Sequence, residues 1–380
     1  MGPLAGIRIL EIAALGPAPF AAMMLADMGA EVVRIERPGG SPMRVGDPRR
    51  EILNRGRRSL TLDLKSGEGR VALLRMAGQV DGLIEGFRPG VMERMGLGPE
   101  ACLAANPRLV YGRMTGWGQE GPLSARAGHD INYIALTGAL AAIGRASDRP
   151  SIPLNLIADF GGGAMYLAFG MVCALLECTR SGQGQVVDAA MVDGVASLMT
   201  VVHMLDQMGL WTPDRESNLL DGGAPFYDVY RTRDGRYLAV GALEPQFFAE
   251  FLARAGLAAV VSPADQMDRS RWPAMRRRIA ARLGEKTLAE WTAIFAGSDA
   301  CVTPVLDYRE ARTNPQLVAR RTFLERDGHA EPAPAPRFSR TPPEAGSSPA
   351  APGAHSREIL RDFGFDDAEI AALCPDDRSG

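Results

Sequence analysis

The chain has 380 residues, 46% of them apolar and 23% charged, with a net charge of −3. That length holds a large core and more than one domain, and the composition is that of a soluble globular protein. No whole-chain basic field marks a nucleic-acid or membrane partner, so an anionic ligand must be met by local Arg and Lys clusters.

Ile7-Arg8-Ile9-Leu10-Glu11-Ile12 predicts a strand, and the turn Gly16-Pro17-Ala18-Pro19 leads into a helix that Gly29 ends. Glu31-Val32-Val33-Arg34-Ile35-Glu36 is a second strand, which makes a βαβ unit with parallel pairing and a right-handed crossover. Leu60-Thr61-Leu62-Asp63-Leu64 is the next strand, followed by a helix over 67–78, a short strand at Gly82-Leu83-Ile84-Glu85-Gly86 and another at 109–114. This alternation predicts a large doubly wound, Rossmann-like α/β domain over 1–200. Helices are expected over 164–179 and 189–208, then a linker over 201–223. Arg233-Asp234-Gly235-Arg236 lies between two β-rich runs and predicts a hairpin, with helices over 245–255, 272–283 and 287–296. Residues 224–305 read as a smaller α+β domain. Residues 306–380 return to the large domain through a strap rich in Pro, Ala and Ser (331–354) and a terminal helix over 356–373.

The five cysteines, Cys102, Cys173, Cys178, Cys301 and Cys374, include no C-x-x-C pair. That argues against a disulfide framework or a zinc site and for a reducing cytoplasm. Residues 1–6 carry no basic stretch before an apolar one, so no signal peptide is expected, and Arg378-Ser379-Gly380 is not a peroxisomal address. The apolar run over 164–176 reads as too short to span a bilayer.

Two residues that can each hold or release a proton stand out. His129, one of four histidines, stands between Gly128 and Asp130 on a loop after an α/β strand, where such folds place ligands. Asp159 precedes Gly161-Gly162-Gly163 and an apolar helix. An aspartate there reads equally as a helix cap, while three glycines are costly in chain entropy and suit close approach of a ligand to backbone N–H groups. Glu244, between a strand and a helix, is either a cap-region acid or a group that orients His129. Arg37, Lys65, Arg88 and Arg94 follow successive strands, where they could grip phosphates. Met191, Met199, Met204 and Met208 read as core, with an acyl-chain contact as the alternative. No G-x-G-x-x-G follows the first strand and no P-loop occurs, which disfavours a dinucleotide or nucleotide site.

The opening Pro3-Leu4-Ala5-Gly6-Ile7-Arg8-Ile9-Leu10-Glu11, Gly29-Ala30-Glu31-Val32-Val33-Arg34-Ile35-Glu36, Asp63-Leu64-Lys65, Glu85-Gly86-Phe87-Arg88-Pro89-Gly90 and Gly182-Gln183-Gly184-Gln185-Val186-Val187-Asp188-Ala189 together resemble CoA-transferase family III. Within it, Gly128-His129-Asp130-Ile131-Asn132-Tyr133, Ala158-Asp159-Phe160-Gly161-Gly162-Gly163 and Glu244-Pro245-Gln246 resemble the racemases acting on 2-methylacyl-CoA thioesters. The resemblance implies His129, Asp159 and Glu244 as catalytic residues. It implies CoA contacts at Arg37, Leu62, Lys65, Arg88, Arg94, Gly128, Asp130 and Tyr133. It also implies an interlocked homodimer, with each site between the large domain of one subunit and the small domain of the other. The expected reaction is 1,1-proton transfer through an enolate, needing no metal and no cofactor beyond the CoA of the substrate. Backbone N–H groups of Gly161, Gly162 and Gly163 are the expected donors to the enolate oxygen. The alternatives are a transferase with Asp159 as nucleophile, a non-catalytic acyl-CoA-binding protein and, less favoured, a nicotinamide dehydrogenase.

Overall fold

The computed structural model describes residues 2–40 and 46–374; the final tripeptide lies outside them. The chain divides into two compact units, Met1–Thr137 with Leu154–Leu198 and Arg321–Gly380, and Gly138–Pro153 with Met199–Arg320. The second unit therefore takes in residues 138–153, 199–223 and 306–320, beyond the 224–305 expected from sequence.

The first unit is built on six parallel strands: β1 (Arg8–Ile12), β2 (Glu31–Glu36), β3 (Arg57–Thr61), β4 (Gly82–Glu85), β5 (Val110–Thr115) and β6 (Val186–Ala190). Their order is β3-β2-β1-β4-β5-β6, so the chain reverses its direction of winding between β1 and β4. Ligands of such sheets bind at that reversal, outside the carboxyl ends of the strands. One face buries Leu10, Val33, Leu60, Leu83 and Tyr111 against Leu73 and Met76 of the helix Gly67–Ala77 and against Ile359, Leu360 and Phe363. The other face receives the helix Pro17–Asp27, whose Pro at N1 has its φ preset for the start and whose alanines are buried.

The helix Met165–Ser181 covers β5, with Leu167 and Met171 buried where Gly112 leaves room for them. It continues a π-wound turn, Leu156–Ala164, giving 26 helical residues that are long and apolar enough to cross a membrane by length and composition. That corrects the short span read from residue 164 onward, which omitted the π-wound part. Sequence reading also began a helix at 189. In the structure β6 runs straight into the helix Met191–Leu198, and a second helix, Thr200–Gln207, follows a break at Met199.

The strap runs along β3, the edge of the sheet. Gly353 N–H donates to Ser59 Oγ at 2.8 Å, His355 N–H to Ser59 O at 3.0 Å, and Ser59 N–H to His355 Nδ1 at 3.1 Å. An edge strand presents unpaired backbone groups, and these bonds satisfy them. The terminal segment forms two helices, Ser356–Asp362 and Asp367–Leu373, where one was expected.

The second unit has an antiparallel sheet of β7 (Tyr227–Arg231), β8 (Tyr237–Gly241) and β9 (Val302–Pro304), the last not read from sequence. Phe226, Phe248, Phe251, Trp272, Trp291 and Phe295 form its core. Its helices Pro245–Ala255 and Trp272–Leu283 match the sequence reading, each with Pro in its first turn and Gly just beyond its end.

Candidate active site

His129 is the exposed N-cap of the helix Asp130–Leu136, and its backbone N–H donates to Asn132 Oδ1 at 3.0 Å. That bond fixes the backbone and leaves the imidazole outside the core. Asp130 and Tyr133, on the same helix, are buried. The Tyr133 ring meets Trp117 edge-on at 4.7 Å. Gly128 and Gly116 make room for it: a Cβ on Gly128 would lie 2.7 Å from the ring, and one on Gly116 would fall on it. Gly128, expected at the CoA, thus has a packing role visible in the fold.

Asp159 does not cap a helix, contrary to one sequence reading. It lies inside the π turn Leu156–Ala164, whose wide winding is seen where Met165 N–H donates to Phe160 O, five residues back. Asn155 Nδ2 donates to Asp159 Oδ2 at 3.2 Å. Phe160, the next residue, stacks on Phe20 at 4.6 Å and anchors the turn to the helix Pro17–Asp27. Gly16, with φ of 68°, borders the same carboxylate; a Cβ there would lie 3.4 Å from Oδ2.

Burial pushes the Asp159 carboxyl above its ordinary value, the Asn155 hydrogen bond opposes this, the charge of Asp130 adds to it, and His129 opposes it. His129 is therefore near enough for its charge to reach Asp159. Burial, with Asp159 adding and Arg88 opposing, pushes the Tyr133 phenol up to about 12, so it stays neutral at physiological pH.

The glycine run has a packing cause. A Cβ on Gly162 would lie 2.8 Å from Val195 N, and one on Gly163 would lie 2.8 Å from Met191 Cγ. Both neighbours belong to the helix Met191–Leu198, which crosses the π turn at backbone contact. The N–H groups of Gly161, Gly162 and Gly163 fall within the i→i−5 ladder of that turn.

A cavity of 780 Å³, within the range of small-molecule sites, opens at the reversal point of the sheet. Its wall includes Ile12, the last residue of β1, and Ala13 to Leu15 beyond it, Arg37 after β2, Leu62 and Lys65 after β3, and Gly86 and Phe87 after β4. Three expected CoA contacts, Arg37, Leu62 and Lys65, therefore share one cavity. Its Leu15 wall precedes Gly16, the residue against Asp159. Arg88 and Arg94 are exposed beyond this lining, and Arg88 acts on Tyr133. Glu244 belongs to the second unit, where it is the exposed N-cap of Pro245–Ala255.

Residues 4–356 match the model of CoA-transferase family III. The chain belongs to that family. It is 48% identical to the α-methylacyl-CoA racemase of Mus musculus over 377 residues, covering 98% of this chain and 96% of that protein. It is 46% identical to the Homo sapiens α-methylacyl-CoA racemase over 378 residues, with the same coverage. A CaiB/BaiF family protein from Brucella suis shares the fold at a TM-score of 0.82 and 24% identity, covering 95% of this chain and 99% of that one.

In this family III chain the position of Asp159 depends on the glycines of two crossing helices. Gly194 faces Gly162 so closely that an added Cβ would fall on the Gly162 carbonyl. Gly194→Ala is expected to cost about 1–3 kcal/mol through overpacking, read as a lower melting temperature. An unchanged melt contradicts this packing. Sequence reading missed Gly16 and Asn155 as neighbours of Asp159, and Phe20 as the ring that packs on Phe160. The Gly16 and Phe20 contacts join distant segments of the chain and leave no local sequence signal, while Asn155 reaches Asp159 from four residues back.

Proposed function

We propose that the protein interconverts the 2R and 2S forms of 2-methylacyl-CoA thioesters. Inverting a carbon next to a thioester carbonyl means removing the α-proton from one face and returning a proton to the other. That chemistry asks for two acid–base groups, and the reading assigns it to His129 and Asp159. In one direction neutral His129 takes the proton while protonated Asp159 supplies one, and in the other the roles reverse. Both forms of the pair hold one proton, so activity falls on either side of an optimum pH. The observation that carries the reading is a carboxyl raised by burial within electrostatic reach of a histidine, beside the cavity at the sheet reversal. A raised carboxyl holds its proton closer to neutral pH, which suits a group that must give as well as take. The names of the relatives support the substrate class.

The proton moves through an enolate, with CoA held by Arg37, Leu62 and Lys65 in the cavity and by Arg88 and Arg94 outside it. No electron changes hands, so the reading needs no cofactor beyond the CoA of the substrate. The assembly is proposed to be a homodimer, in which Glu244 of a second copy orients His129. An exposed apolar ridge of Met165, Phe169, Val172 and Leu176 supports association. A cytoplasmic setting is proposed from the free cysteines.

A single epimer of a 2-methylacyl-CoA supplied with no second acid tests the reading. Loss of stereochemistry is the expected result. Turnover that appears only when a carboxylate acceptor is added, with Asp159 trapped as an acyl adduct, overturns it in favour of CoA transfer.

A further inference from the structure

We propose that Asp130 is a positioning residue that ties the His129 helix to the π turn carrying Asp159. The inference rests on the reading of Asp159 as a proton-transfer group. Asp130 was expected to contact CoA, but its carboxylate is buried and points elsewhere in the fold. Its Oδ2 accepts the N–H of Ala158 at 2.7 Å and the N–H of Asp159 at 2.8 Å. These are N–H groups of the first turn, which have no partner within their own helix. One oxygen thus satisfies two donors and clamps the residue that precedes Asp159 together with Asp159 itself. His129 and Asp130 are neighbours at one end of this clamp, and Ala158 and Asp159 are neighbours at the other. The separation of the two proton-transfer groups is then set by a pair of short hydrogen bonds rather than by loop conformation.

The second oxygen, Oδ1, is buried without a hydrogen-bond partner. A buried carboxylate with half its acceptors unused is costly. An asparagine could accept the same two N–H groups through its carbonyl oxygen without a buried negative charge. The clamp therefore does not require the charge, and the charge has a separate consequence: it disfavours a second negative charge on Asp159. The groups acting on Asp159 are Asn155 from its own turn and Asp130 and His129 from the facing helix segment, while Tyr133 of that helix is in turn affected by Asp159. The crossing helices Pro17–Asp27 and Met191–Leu198 meet the turn through Pro17, Phe20, Met191 and Val195, and Asp193 of the latter acts on Asp188. Removing the charge of Asp130 lowers the proton affinity of Asp159, so protonation that silences the pair sets in only at lower pH.

The experiment compares full-length wild type, Asp130→Asn, Asp130→Ala and Asp159→Asn by α-proton exchange on a 2-methylacyl-CoA across pH, with thermal unfolding alongside. Asp130→Asn is expected to move the acid limb of kcat/KM to lower pH, by on the order of one pH unit, with no loss of melting temperature. Asp130→Ala is expected to lower kcat about 10²-fold through misplacement, with KM little changed. An Asp130→Asn profile that superimposes on wild type overturns the proposal, as does full kcat in folded Asp130→Ala. If Asp130→Ala does not fold, the Asp130→Asn profile alone decides. Wild-type exchange in Asp159→Asn instead removes the proton-transfer reading itself, which distinguishes the two failures.

Discussion

His129→Ala is expected to lower kcat for α-proton exchange by about 10²–10⁴-fold, the usual contribution of a positioned general acid or base. KM for the acyl-CoA should change little, because the cavity proposed to hold CoA is built from the ends of β1 to β4 and does not include His129. Folding should survive. His129 is exposed, and the capping bond at its position is made by its backbone N–H, which alanine keeps. Asp159→Ala should cause a loss of similar size. The double variant should be little worse than either single one, because a pair that shares one proton fails when either member is removed. Losses that multiply would mean that the two residues act in separate steps. Near-normal turnover in His129→Ala would remove the histidine from the mechanism.

Glu11→Gln is expected to destabilise the protein by about 3–5 kcal/mol, the cost of breaking a buried ion pair. Glu11 is fully buried in β1. Its Oε1 pairs with Arg34 and its Oε2 accepts from Arg57 Nε at 3.0 Å. Neither arginine side chain is more than 7% exposed. Glutamine keeps the shape but leaves two buried guanidinium groups facing a neutral amide. Burial already lowers the proton affinity of Arg57, and Glu11 is its main compensation. The loss should appear as a fall in melting temperature of roughly 2–4 °C per kcal/mol. Because Arg34 and Glu36 also line the cavity, KM for CoA esters should rise as well. A melt and a KM equal to wild type would show that this cluster supports neither the sheet nor the cavity.

The doubly wound sheet was readable because its first strands alternate with turn residues in the usual way. Gly29 closes the first helix just before β2. The helices Pro245–Ala255 and Trp272–Leu283 were readable because Pro and Gly mark their ends. β6 was not, since Ala189-Ala190-Met191 carries the chain from strand to helix without a turn residue. The hairpin of β10 (Phe323–Arg326) and β11 (His329–Pro332) was missed although a signal existed. Asp327-Gly328 takes φ of 51° and 74°, the two positive values that a tight hairpin turn needs. The pair at the site was legible as residue types, His129 beside a glycine and Asp159 before three. The causes of its geometry were not. The π turn, the clamp by Asp130 and the crossing at Gly162 and Gly194 all depend on contacts between distant segments. For the same reason the packing role of Gly162 and Gly163 against the helix Met191–Leu198 was not read from the sequence.

Proton exchange at the α-carbon tests the central claim most directly. A single epimer of a 2-methylacyl-CoA, incubated with the enzyme in deuterium oxide and no added acid, should take up one deuterium at C2 as its stereochemistry is lost, as followed by NMR. No deuterium at C2 after prolonged incubation with folded, CoA-ester-binding protein would contradict the account.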